Sequence, residues 1–463
     1  MHIRVLLLIL YVVGSSRLHA QTKSAETGLF KDGDKVNFIG NSITHGGEFH
    51  TNILLFYATR FPERNITFYN SGIWGDNASD MLRRLDTDIL TNDADWSIIM
   101  AGMNDVNRAL YAPARRAEPN LEAEKQRHLN NYRNNLEALI QRLQKTDTRI
   151  LLQKPSIYDQ TGDLPAENQL GVNDALQKCT VIIDELAKKY GVQTVDYFTL
   201  MQQVNRQLQA ADPTATVVSN DRIHPGALGS FVMAYQFLKE TGAPALVSRL
   251  HLKKGKVEEE QNCTVQEVRQ AKGRLSFAIQ ERSLPFAVAA EAEAALALVP
   301  FTQEMNQEVL QVTRLKKGTY TLLIDSTRVG VFTSAELAKG VNLALQQNTP
   351  QYQQALRVRQ LAEQRRLVQK QLRDIRLVEV RYLPANLWAQ DMPALERAMD
   401  AILQDLQAKK DARYLGIRNY FESYRKNKPR EGQLEKEAAQ LMVDIRRESQ
   451  PVLRTYQLEK KSR

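Results

Sequence analysis

The chain has 463 residues, 43% hydrophobic and 25% charged, with 62 Lys and Arg against 53 Asp and Glu for a formal net charge of +9. That is room for two or three domains of ordinary soluble, globular composition. After the N-terminal segment no stretch has the 18 consecutive apolar residues of a membrane-spanning helix, and two cysteines among scattered histidines make no zinc pattern.

The N-terminus reads as an export segment. Arg4 precedes an apolar run from Val5 to Val13, and Leu18-His19-Ala20 ends in a small residue, so cleavage is expected after Ala20. The run is too short to cross a bilayer, and no cysteine follows it closely enough to anchor a lipid. The mature protein is expected to be periplasmic or secreted, with no transmembrane anchor. In such a compartment Cys179 and Cys263 are either one disulfide or two buried thiols, and spacing leaves both open.

From residue 33 to about 242, short apolar runs alternate with longer helical stretches. The runs are Val36–Gly40, Ile66–Asn70, Ser97–Ala101, Ile150–Gln153 and Val192–Asp196. Helices are expected near 46–60, 77–91, 120–145, 170–190 and 226–240. Such alternation predicts a parallel sheet with helices on both faces, which binds ligands outside the carboxyl ends of its strands. Residues 243–262 carry Lys253-Lys254-Gly255-Lys256 and Glu258-Glu259-Glu260, and read as a charged connection between domains. Strands are expected at 275–279, 309–312, 320–324 and 329–332, in a small antiparallel sheet. Residues 285–301, rich in Ala, Val and Pro, read as a covering loop or strand. Residues 335–463 read as helical, with stretches near 351–380, 393–427 and 431–448. The resulting division is 1–20 leader, 21–250 α/β domain, 263–345 β-rich module and 346–463 helical region.

The tail from 351 onward holds 24 Lys and Arg against 15 Asp and Glu, which is the whole excess charge of the chain. A polyanionic partner is one reading, but a mixed-charge helical tail is more often a solvated surface, and no nucleic-acid partner is expected.

Residue types suited to acyl transfer fall at the expected strand ends. The first run ends in Gly40-Asn41-Ser42, the second in Gly72-Ile73-Trp74-Gly75-Asp76, the third in Gly102-Met103-Asn104-Asp105, and the last helix follows Asp221-Arg222-Ile223-His224. Ser42 alone is as well read as a helix cap. With the other residues it reads as a nucleophile, with His224 as general base and Asp221 orienting the imidazole. The Ser42 and Gly75 N–H groups and the Asn104 amide would receive the oxyanion. Gly75 is preferred to Gly72 because Asp76 follows it.

These ordered blocks resemble the SGNH (GDSL) hydrolase superfamily over about 200 residues. The resemblance implies a flavodoxin-like three-layer α/β/α sandwich and serine esterase chemistry without metal or cofactor. The first block in that family usually reads Gly-Asp-Ser. Here Asn41 stands in place of the aspartate, a supporting hydrogen-bonder, so activity is expected to survive. Asp76 and Asp105 are expected to brace loops. Trp74 is a sugar platform or a core aromatic, His45 a pocket or a surface loop residue, and Arg222 an exposed structural arginine or a contact for an acidic substrate. His50, His128 and His251 receive no role. The segments Gly318-Thr319-Tyr320 to Phe332 and Glu336 to Ala344 are similar to modules attached to some secreted members of the superfamily.

The function expected is hydrolysis of acyl esters, acetyl above all, on carbohydrate or a small molecule. The alternatives are a lipase-like acylhydrolase and a non-catalytic glycan-binding protein.

Overall fold

In the computed structural model, residues 28–271 and 273–461 are described. The expected leader and its cleavage point lie outside the described residues.

Five strands form a parallel sheet: β1 (Lys35–Gly40), β2 (Thr67–Gly72), β3 (Trp96–Met100), β4 (Arg149–Lys154) and β5 (Gln193–Asp196). Their order is β2-β1-β3-β4-β5, the flavodoxin-like arrangement in which the chain reverses direction beside β1. Every side chain of β3 is buried, which is why these strands read as unbroken apolar runs. In the register, Gly40 stands beside both Gly72 and Met100. The three loops that leave these strands therefore start at one level.

Around the sheet lie α1 (Ser42–Gly46), α2 (Glu48–Arg60), α3 (Ala78–Arg83), α4 (Leu121–Leu143), α5 (Val172–Tyr190), α6 (Tyr197–Ala211) and α7 (Ala227–Glu240). Helix α2 packs on α7, and α3 on α4, giving a three-layer α/β/α sandwich. Two details depart from the sequence reading. The expected 77–91 helix is α-helical only to Arg83, then runs as a π turn at Leu85–Ile89 and a 3₁₀ turn at Leu90–Asn92. Helix α6 was not foreseen, although Asp196 caps it by accepting the Thr199 N–H at 2.9 Å.

The charged connection at 243–262 is instead a hairpin of β6 (Leu246–Lys253) and β7 (Lys256–Gln261). Lys254 and Gly255 both have positive φ, the geometry of a tight hairpin turn. The charges lie on the exposed β7 while Leu250 and Leu252 face inward. The expected small antiparallel sheet is two sheets. Beyond the hairpin come β8 (Cys263–Ala271), β9 (Arg274–Glu281), α8 (Phe301–Met305), β10 (Gln307–Thr313), β11 (Thr319–Ile324), β12 (Thr327–Thr333), α9 (Ser334–Lys339) and β13 (Val341–Asn342). One sheet runs β13-β10-β6-β7, with β6 and β10 parallel. Between them, the Ala/Val/Pro-rich segment runs as a 3₁₀ stretch at Ala290–Ala297 and packs Phe286, Ala292 and Val299 into the α/β core.

The C-terminal region holds α10 (Pro350–Tyr382), α11 (Met392–Ala408), α12 (Tyr414–Asn427) and α13 (Glu431–Glu448). It is not wholly helical. The strand β14 (Arg454–Lys460) returns to the second sheet, ordered β12-β11-β14-β9-β8. It was missed because only Tyr456 and Leu458 mark its buried side. Helix α10 spans two cores. Tyr352, Ala355, Val358 and Ala362 join the α/β core, while Ile375, Leu377 and Val378 join Phe421, Tyr424 and Leu434 of the later helices. Ile73, from the loop after β2, belongs to this second core. The tail is thus no mere solvated surface: Arg365 and Arg373 of α10 are buried.

Cys179 and Cys263 are both buried free thiols.

Candidate active site

The first turn decides what Ser42 can do. Asn41 is the N-cap of α1, its Oδ1 accepting the Ile43 N–H at 3.0 Å. Asn41 therefore takes the capping task that Ser42 was the other candidate for, and the serine hydroxyl is left free. An amide oxygen serves this cap as an aspartate would. Ser42 opens α1, where its N–H has no intrahelical acceptor.

The Ser42 hydroxyl meets His224 Nε2 at 2.7 Å, and His224 Nδ1 meets Asp221 Oδ2 at 2.6 Å. These groups are 182 residues apart in sequence and are brought together by the edge on which β1 ends and α7 begins. The other Asp221 oxygen accepts the backbone N–H groups of Ile223 and His224 at 2.9 and 3.0 Å and the Ser219 hydroxyl at 2.7 Å. Burial pushes the Asp221 pKa up, but the bonds from His224 and Ser219 outweigh it and bring it down to about 2. The carboxylate is ionised at neutral pH.

Arg222 holds this loop, and not as an exposed residue. It is buried, has φ +70°, and donates to the carbonyls of Asp159, Gly162, Leu164 and Ala166 at 2.8–3.0 Å. Four of its five N–H groups go to backbone carbonyls and the side chain is buried, so it holds the loop rather than facing an acidic substrate.

The second block supplies the facing wall. A Cβ at Gly72 would lie 2.2 Å from the His45 nitrogen, so only glycine lets β2 pass α1. Gly75 has φ +76° and an N–H with no acceptor among the described residues. Asn104 Nδ2 donates one hydrogen to the Asp76 carbonyl at 2.8 Å and has a second to give. Asp105 accepts the N–H groups of Ala78 and Gly102, both at 2.8 Å, tying the second and third loops together. Asp76 is buried between Arg84 at 2.7 Å and Arg381 at 2.9 Å. The Trp74 ring lies 4.9 Å from His224 and 6.0 Å from His45 while its body packs on the C-terminal core. It is both a core aromatic and a wall of the site.

Sequence reasoning missed the contribution of α10. Along one side of this helix, Arg366 donates to the Gly46 carbonyl at 2.7 Å, Arg373 to the Gly72 carbonyl at 3.1 Å, Asp374 meets His45 Nε2 at 2.8 Å, and Arg381 reaches Asp76. The spacing of 7, 8 and 15 residues keeps them on one face, and that row of charges at helical spacing was the one available clue.

His45 is fully enclosed rather than on a surface loop. Burial lowers its pKa to about 4 against the opposing pull of Asp374, and burial lowers that of His50 to about 4 despite its bond to the Thr44 carbonyl. Both rings are neutral at pH 7 and donate through Nε2, since each partner is an acceptor. An unfolded histidine titrates near ~6.5. The unfolded state therefore binds the extra protons first, and stability falls as pH drops from about 6.5 to about 4. Between pH 7 and 4, urea denaturation should show the wild type losing roughly 3 kcal/mol more than His50→Gln, which keeps the donor without the titration.

The chain is similar to known proteins. The GDSL-like Lipase/Acylhydrolase family matches residues 38–230. An acetylxylan esterase of Geobacillus stearothermophilus is 25% identical over 232 residues, which are 47% of this chain and 98% of that protein. A solved structure described as a gut microbial diltiazem-metabolizing enzyme is 31% identical, covers 94% of this chain and 100% of its own, and superposes with a TM-score of 0.85. The chain belongs to the SGNH (GDSL-like) hydrolase superfamily and is a carboxylic ester hydrolase.

Proposed function

We propose that the enzyme is a serine esterase that removes acetyl groups from carbohydrate, with Ser42 as nucleophile, His224 as base and Asp221 as orienting carboxylate. The observation that carries this is the unbroken Asp221–His224–Ser42 chain, with contacts of 2.6 and 2.7 Å. His224 Nε2 accepts the Ser42 proton as Oγ attacks the ester carbonyl. The oxyanion is received by the N–H groups of Ser42 and Gly75 and the free amide hydrogen of Asn104. Collapse breaks the ester C–O bond, and His224 returns the proton to the departing alcohol. Water, deprotonated by His224, then cleaves the acyl-Ser42 ester and releases the acid. Asp221 stays ionised throughout and fixes the imidazole tautomer.

The acetyl preference is supported by the acetylxylan esterase among the relatives and by Trp74, a half-buried ring at the wall of the site. Export is supported by the Arg4, Val5–Val13 and Ala20 pattern. The full-length relative, named for metabolizing a drug, favours a second reading in which small-molecule esters are also substrates.

A fluorophosphonate probe followed by peptide mass spectrometry tests the nucleophile, with the label expected on Ser42. Acetylated xylo-oligosaccharides, p-nitrophenyl acetate, p-nitrophenyl palmitate and diltiazem test the substrate class. Faster turnover of palmitate than of every acetyl ester would overturn the acetyl assignment in favour of a lipase-like enzyme.

A further inference from the structure

Strand β2 is an open edge of the parallel sheet, and α10 and α13 cover it. Between them lies a cleft of about 530 Å³ that is separate from the Ser42 site. Guanidiniums on its floor cap the outward carbonyls at this edge. Arg365 Nη2 donates to Phe68 at 2.8 Å, Arg373 Nε to Gly72 at 3.1 Å, and Arg446 Nη2 to Ile66 at 3.4 Å. This blunts an edge that would otherwise pair with another strand. A carbonyl satisfies one N–H, however, and leaves the positive charge uncompensated.

The charges of the cleft do not balance at depth. Arg373 is paired with Asp88 through two bonds of 2.8 and 2.7 Å, and Arg376 with Asp88 and Glu379. Arg365 and Arg446 have no acidic partner among the described residues. Arg365 is nine-tenths buried and, among the described residues, the Nε of each is enclosed without an acceptor and the Nη1 of each has no bond. Burial, with the like charge of Arg446 added, brings the Arg365 pKa down to about 10. Of the carboxylates at the cleft, Asp88 is shared among three arginines, Glu431 is taken by Lys428, and Glu435 is exposed at the mouth. A buried guanidinium at Arg365, beside the partly exposed like charge of Arg446, is costly without a counter-ion.

We propose that this cleft binds an oxyanion, a sulfate or phosphate either free or esterified to a sugar, between Arg365 and Arg446. The two unbonded Nη1 groups, each on a cation, suit a doubly charged group with several acceptor oxygens. The cleft is in the size range of small-ligand pockets, larger than an inorganic ion needs, and its remaining wall includes Asn70, Asn92 and Gln369 for hydroxyls.

The test uses the full chain carrying Ser42→Ala, so that hydrolysis cannot contribute. Calorimetry and melting temperature are read with sodium sulfate, sodium phosphate, glucose 6-sulfate and glucose 6-phosphate against sodium chloride at matched ionic strength. Saturable binding and a melting temperature raised above the chloride control are expected, and Arg446→Gln should weaken binding about tenfold or more. Sugar esters binding more tightly than the inorganic ions would identify an esterified ligand, and equal affinity a free ion. Arg365→Gln should act in the same direction. If it fails to fold, Arg446→Gln, whose side chain is partly exposed, carries the test. A melting temperature that follows ionic strength alone, or full affinity in Arg446→Gln, would overturn the proposal. None of these readouts depends on esterase activity.

Discussion

Ser42→Ala is expected to reduce kcat for p-nitrophenyl acetate by on the order of 10⁴-fold or more, with little change in KM. The loss is expected to be large because, in the proposed mechanism, the serine alone supplies the covalent intermediate. Little else in the fold leans on its hydroxyl. Asn41 caps α1, so removing Oγ takes away one hydrogen bond, the one to His224. Far-UV spectra and melting temperature should therefore match the wild type. His224→Ala should give a similar loss, and the double variant should be no slower than either single one, because the two side chains act as one unit. Asn104→Ala removes the proposed oxyanion donor together with its bond to the Asp76 carbonyl, and should cost about 10²–10³ in kcat. Rates for Ser42→Ala within a few-fold of wild type would exclude the hydroxyl from the chemistry, whatever its distance from the imidazole.

The residues that meet at the site were legible because each announces itself locally. A buried parallel strand must be an apolar run, and the turns after it carry Gly40, Gly72, Gly75 or Gly102 in a few residues of sequence. The ordering of those turns then supplies the fold. What stayed hidden depends on partners distant in the chain. Arg381 is 305 residues from Asp76, and Asp374 is 329 from His45. An arginine on a polar helix reads the same whether it meets water or a buried aspartate, so the tail looked solvated. Arg222 was misjudged for the same reason, since its four carbonyl partners lie about 60 residues upstream. The hairpin at 246–261 and the strand β14 were hidden by composition. One is charged on its exposed strand, and the other shows two apolar residues.

Asp88→Asn should destabilise the protein by about 3–5 kcal/mol in urea denaturation at pH 7. Asp88 lies in the π turn, almost fully buried, and meets Arg84 at 2.5 Å, both Nη atoms of Arg373 and, at 3.6 Å, Arg376. Asparagine keeps the shape but removes the charge, so buried guanidiniums are left facing an amide. These same guanidiniums hold the carbonyls of Ser71 and Gly72, at the start of the loop that carries Trp74 and Gly75. Activity should therefore fall with stability, in kcat more than in KM. Burial pushes the Asp88 pKa up, but Arg373, Arg84 and Arg376 outweigh it and hold the carboxyl well below the usual range. The stability it provides is present above the unfolded carboxylate pKa of ~3.9 and is lost as pH falls through the lower folded value. The gap between wild type and Asp88→Asn should then be constant from pH 7 to 5 and narrow only below about 4. Asp93, almost fully exposed and paired among the described residues with Lys35 alone, is the control, and Asp93→Asn should leave stability close to that of the wild type. If both variants lose equally little, the ionic cluster does not hold α10 to the sheet, and the apolar contacts of Ile73 with the C-terminal core must do so instead.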